Sequence, residues 1–86
     1  MTWKITYTAQ AKKDAKKVTP HCKKKLLELI NLLTQDPFQT PPSYEALLGT
    51  LKGTYSRRIN IQHRLVYEVL SESKVIKVLS MWSHYE

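Results

Sequence analysis

Residues 2–7 alternate, with Trp3, Ile5 and Tyr7 on one side and Thr2, Lys4 and Thr6 on the other, the period-two pattern of a half-buried strand. From Thr8 the period lengthens. Ala11, Ala15 and Val18 recur at helical spacing with Lys12, Lys13, Lys16 and Lys17 between them, so Thr8 can cap a helix from Ala9 to about Val18. Thr19-Pro20 restarts the helix, because proline at the first helical position forfeits no hydrogen bond. The second helix runs to about Gln35. Cys22, Leu26, Leu29, Ile30 and Leu33 form its apolar stripe, Leu27 and Leu32 widen it, and Asp36-Pro37 ends it. Three prolines make residues 37–44 a loop.

The second half is strand-like. Tyr44 to Leu51 is ambiguous, and a short turn of helix around Glu45-Ala46-Leu47-Leu48 is compatible with it. Tyr55 to Ile61, His63 to Leu70 and Lys74 to Trp82 read as strands, separated by turns near Asn60–Gln62 and at Ser71-Glu72-Ser73. The order is βααβββ. Strands joined by such short turns must run antiparallel, and the expected fold is α+β, with two helices packed on one face of a mainly antiparallel sheet. On the strand beginning at His63, Leu65, Tyr67 and Val69 face the helices, while Arg64, Val66 and Glu68 face the open side.

Length and composition narrow the picture. With 86 residues the chain is expected to be one domain. The lone Cys22 cannot form an internal disulfide, and no apolar run approaches the ~18–20 residues of a membrane span. The start lacks the apolar core of a signal peptide, so a cytoplasmic protein with no membrane partner is expected. A net charge of +7 suits phosphate backbones or an acidic partner.

That charge is segregated. Eight of eleven lysines precede residue 26, whereas the three arginines, Arg57, Arg58 and Arg64, lie on the two central strands. Lysine acts as a point charge and arginine as a planar fork that grips phosphate with two parallel bonds. The lysines therefore supply a field and the arginines a candidate phosphate site, with cross-strand pairing to Glu68 or Glu72 as the alternative. Arg57 and Arg58, being adjacent, point to opposite sides, so only one of them can join Arg64. The three histidines and Cys22 lack zinc-site spacing, and no glycine-rich phosphate loop is present. Ser83-His84-Tyr85-Glu86 follows the last strand, which if docked in the sheet would hold His84 and Tyr85 beside its neighbours.

Tyr55-Ser56-Arg57-Arg58-Ile59, His63-Arg64-Leu65-Val66-Tyr67 and the closing Ser83-His84-Tyr85 together resemble the YoeB branch of the RelE/ParE toxin superfamily. The resemblance spans nearly the whole chain, by pattern alone over the first 40 residues. It implies a RelE-like fold and the toxin half of a type II toxin–antitoxin pair, with a YefM-like antitoxin and mRNA on the ribosome as partners; a homodimer is compatible. Position by position it assigns catalysis to Glu45, Arg64, His84 and Tyr85. Two departures stand out: the lysine that many relatives carry shortly after the glutamate is absent, and the first helix is lysine-rich rather than aromatic-rich.

The chemistry is self-consistent. RNA carries its own nucleophile, the 2′-hydroxyl, so a nuclease needs a base, a cation for the phosphorane and an acid for the leaving 5′-oxygen. Glu45, Arg64 and His84 can fill these roles, with Tyr85 stacking or orienting, and Arg58, then Arg57, as further phosphate contacts. The expected products are a 2′,3′-cyclic phosphate or 3′-phosphate and a 5′-hydroxyl, with no metal or cofactor. Two other readings remain open: a ParE-like gyrase inhibitor of the same fold, and a non-enzymatic basic module that binds nucleic acid.

Overall fold

A computed structural model of the chain describes residues 2–41, 43–47, 53–60 and 63–84, the side chains of Ser83 and His84 excepted. Its elements are β1 (Lys4–Tyr7), α1 (Ala9–Ala15), α2 (Pro20–Gln35), β2 (Tyr44–Ala46), β3 (Thr54–Arg58), β4 (His63–Leu70) and β5 (Val75–His84). They form a five-stranded sheet in the order β1-β5-β4-β3-β2. β2 to β5 are an antiparallel meander, and β1 returns alongside β5 in parallel, carried across by the two helices. Among the described residues no helix is long and apolar enough to cross a membrane.

The α+β arrangement is the expected one; β3 ends at Arg58, short of the expected Ile61, and two differences precede it. The first helix ends at Ala15, not near Val18. Pro20 holds Thr19 extended, at φ −67° and ψ 152°, so one helix cannot run through. The N–H groups of Lys16 and Lys17 instead reach back three residues to Lys13 and Asp14. Val18 is nevertheless buried. The second difference is at Tyr44–Ala46, which forms an edge strand rather than a helical turn. So short a segment gains little from helical nucleation, whereas the open edge of β3 offers a row of backbone partners. It pairs Tyr44 with Arg57, Glu45 with Ser56 and Ala46 with Tyr55. Leu48 to Leu51, the rest of the ambiguous stretch beyond Leu47, lie outside the described residues.

Helix α2 follows its predicted span, and Cys22, Leu26, Leu29 and Leu33 are buried against Leu65, Tyr67, Ile76 and Val78 of the central strands. Thr19 occupies its cap position without a side-chain bond, whereas Thr8 does cap α1, its Oγ1 accepting from the Ala11 N–H at 3.1 Å. Both helices lie on one face. The other face displays Glu45, Ser56, Arg58, Arg64 and Val66, in keeping with strand alternation.

Candidate active site

Three adjacent strands build one polar cleft. In β3, Ser56 and Arg58 alternate to the helix-free side; across β4, Arg58 pairs with Arg64; across β2, Ser56 pairs with Glu45. Arg64 Nη2 lies 3.4 Å from Glu45 Oε1, and Nη1 donates to Ser56 Oγ at 3.3 Å. The guanidinium is thereby fixed at both nitrogens on a side chain only 8% exposed, while Glu45 is 56% exposed. So open a carboxylate makes the ion pair worth about 1 kcal/mol or less, and it orients the cleft more than it stabilises the fold. Ser43, Glu45, Arg58 and Arg64 line a cavity of about 260 Å³, large enough for a phosphate and part of a ribose.

Placing two guanidiniums directly across a strand pair is unfavourable unless negative charge lies between or beside them. Glu45 supplies one such charge, and an anion in the cleft would supply another. Glu68 lies opposite Thr54 in β3 and Lys77 in β5, so it is not the directly cross-strand neighbour of an arginine.

Arg57 is not part of this cleft, which corrects its assignment as a phosphate contact. It faces the helix side and is fully buried. Its Nε donates to Tyr67 Oη and its Nη2 to the Pro37 carbonyl, both at 3.0 Å, and its guanidinium lies 5.1 Å from the Tyr44 ring centre. Tyr55 meets Phe38 and Tyr44 edge-on and those two rings meet at a tilt, with centroids 5.3–5.9 Å apart. Burial raises the Tyr67 phenol above its ordinary value despite the opposing bond and charge of Arg57, so it stays a neutral donor to Pro37 O at 3.3 Å. Arg57 belongs to the packing that seats the loop before β2.

The last strand runs further than its apolar pattern predicts. β5 continues through Ser83 and His84, whose backbones pair with Arg64 and His63. The His84 side chain and the whole of Tyr85 lie outside the described residues. His63, on the helix side, stacks on Trp82 with centroids 3.6 Å apart. Ser43 and Ser56 escaped the sequence reading. For Ser56 the signal was present, because it sits two residues from Arg58 and shares its face; Ser43 has no comparable signal. Among the described residues no group of three or more histidine, cysteine or acidic side chains could hold a metal ion.

Two helices over this meander, with the arginine cleft on the opposite face, define the class: RelE/ParE-type toxins. The "YoeB/ParE toxin from Agrobacterium tumefaciens" superimposes with a TM-score of 0.83 at 28% identity, covering 95% of this chain and 99% of that one. A YoeB–YefM toxin–antitoxin heterotetramer from Staphylococcus aureus matches at 36% identity and a TM-score of 0.70, over 99% of this chain and 100% of that one. Within that class, the sequence model described as "YoeB-like toxin of bacterial type II toxin-antitoxin system" matches residues 5–85, and the chain belongs to that family. Toxin YoeB of Synechocystis sp. is 43% identical over 67 residues, 73% of this chain and 76% of its own length.

Proposed function

We propose that this chain is a single-domain, cytoplasmic endoribonuclease toxin that cuts mRNA in the ribosomal A site. The observation that carries this reading is the convergence of Glu45, Arg58 and Arg64, from three strands, on one cleft beside the strand that bears His84. Glu45 takes the proton from the ribose 2′-hydroxyl. Arg64, held by Glu45 and Ser56, and Arg58 opposite it stabilise the charge that builds on the phosphorane. His84 protonates the departing 5′-oxygen, and Tyr85 stacks on a base or orients the phosphate. The products are a 2′,3′-cyclic phosphate, or its opened 3′-phosphate, and a 5′-hydroxyl.

A YefM-like antitoxin, with an acidic segment that folds on binding, covers the basic surface and silences the toxin. The YoeB–YefM assembly of the S. aureus relative supports that partnership. The test is primer extension on a translated reporter mRNA, with and without ribosomes, using wild type and Glu45→Ala, Arg64→Ala and His84→Ala. Discrete ribosome-dependent cuts from wild type are expected, reduced about 10²-fold or more in each variant. Gyrase-dependent DNA damage without RNA cuts would overturn the reading, as would wild-type cutting by all three folded variants.

A further inference from the structure

The pairing of β4 with β5 is regular from Leu70–Val75 to Tyr67–Val78 and then slips twice. Val66 pairs with Ser80 instead of Leu79, and Arg64 with Ser83 instead of Met81, so β5 holds one extra residue at each slip. An unbroken register would put Trp82 opposite His63 and carry Ser83 and His84 beyond that end of β4. The two bulges draw the strand back by two residues, roughly 6.6 Å at ~3.3 Å per residue. Because the shift is even, the faces of the strand are restored beyond it. The outcome is that Ser83 pairs with Arg64 and His84 with His63.

Bulges leave backbone groups without ladder partners, and such groups are costly when buried. Here α1 and its cap supply the partners. Thr8 Oγ1 donates to the Leu79 carbonyl at 3.0 Å, just beyond the last rung of the β1–β5 ladder, where the Thr8 N–H meets the Val78 carbonyl at 3.1 Å. Asp14, 4% exposed, does the rest. Its Oδ2 accepts from the Met81 N–H at 3.2 Å and from Ser80 Oγ at 2.8 Å, while Gln10 Nε2 steadies Oδ1 at 2.8 Å. A carboxylate on the helix face therefore sits on the stretch of β5 where the register changes.

We propose that Asp14, which touches no part of the cleft, is a positioning residue for RNA cleavage: it holds the doubled bulge of β5 and so sets the register that pairs the Ser83 backbone with Arg64 and the His84 backbone with its neighbour His63. The proposal rests on the nuclease reading for its catalytic half; the register half stands by itself. Losing the bulge bonds lets β5 relax toward the unbroken register, carrying His84 away from the phosphate clamp while the core and the Glu45–Arg64 pair stay in place.

The experiment measures ribosome-dependent cleavage and backbone register together, in wild type, Asp14→Asn and Val18→Ala. Val18→Ala loosens the same core without touching the bulge. Asp14→Asn is expected to lose about 10²-fold in kcat, the scale of a 1 Å misplacement, with KM within about twofold. Its interstrand proton contacts between the Arg64 and Ser83 backbones should weaken or vanish by NMR. Val18→Ala should keep both kcat and those contacts. Ser80→Ala, which removes only one donor, should show the same pattern at about tenfold and decides the matter if Asp14→Asn does not fold. The proposal is overturned if the aspartate and serine variants keep the wild-type register, or lose kcat no more than Val18→Ala. A wild type that cuts no RNA overturns the nuclease reading and the catalytic half with it, and the NMR contacts then decide the register half alone.

Discussion

Arg57 and Arg64 sit on paired strands one register position apart, yet replacing each by alanine should have opposite consequences. Arg57 is fully buried; its guanidinium donates at 3.0 Å to Tyr67 Oη and to Pro37 O, among other contacts, beneath the Tyr44 ring. Hydrogen bonds from a charged donor contribute about 1.5–3 kcal/mol each, and a desolvated cation–π contact about 2 more. Removing the buried charge itself recovers part of this. Tyr67 still donates to Pro37 O, so that carbonyl is not orphaned. A net loss of about 3 kcal/mol is expected for Arg57→Ala. With a urea slope of about 1 kcal/mol/M for so small a domain, the unfolding midpoint should fall by about 3 M. Arg64→Ala should lower it by less than about 1 M, because Glu45 is half-exposed, while abolishing most cleavage. Urea titrations followed by tryptophan fluorescence measure both. A midpoint shift under about 1 M for Arg57→Ala, or equal shifts for the two variants, would refute the division into a packing arginine and a site arginine.

Two further outcomes follow from the geometry. Burial raises the Asp14 carboxyl, but bonds from Ser80, Gln10 and the Met81 and Trp82 backbones outweigh it and hold the group below its ordinary value near 3.8. A depressed carboxyl binds protons less in the folded state, so its stabilisation is present above the unfolded value and is lost as pH falls through the folded one. Thermal melts from neutral pH downward should therefore show the gap between wild type and Asp14→Asn shrinking below about pH 4, and a gap unchanged down to about pH 2.5 would contradict this. At Gly53, φ +79°, an added Cβ would meet the Val69 carbonyl oxygen at 3.9 Å, an ordinary van der Waals contact without a clash. Gly53→Ala should therefore cost only the backbone strain, about 1 kcal/mol, and a stabilised variant by urea titration would count against the assigned conformation.

Local periodicity was enough to read the helix pair, the meander and the side of β4 on which Arg64 lies. Each depends on spacing of 2.0 or 3.6 residues and on turn residues that act locally. The restart at Thr19-Pro20 was legible for the same reason, since a proline constrains its immediate neighbour whatever surrounds it. The adjacency of Arg57 and Arg58 showed that only one could join Arg64.

Which one it is depends on pairing partners distant in sequence. Ser56 and Arg58 share the face of Arg64 because β3 and β4 meet in one particular register; Arg57 then falls opposite Leu65, under the loop that begins at Pro37. Tyr44–Ala46 carries too few residues to declare a period and became a strand only because β3 had an edge to offer. The slips in β5 leave no mark in its own apolar pattern. They are held by Thr8 and Asp14, 71 and 66–67 residues away, so the position of Ser83 and His84 is a property of the packed helix and sheet together. Sequence patterning determines which face an element buries; only the tertiary structure decides register, because register is the sum of contacts between segments that meet for the first time in the folded chain.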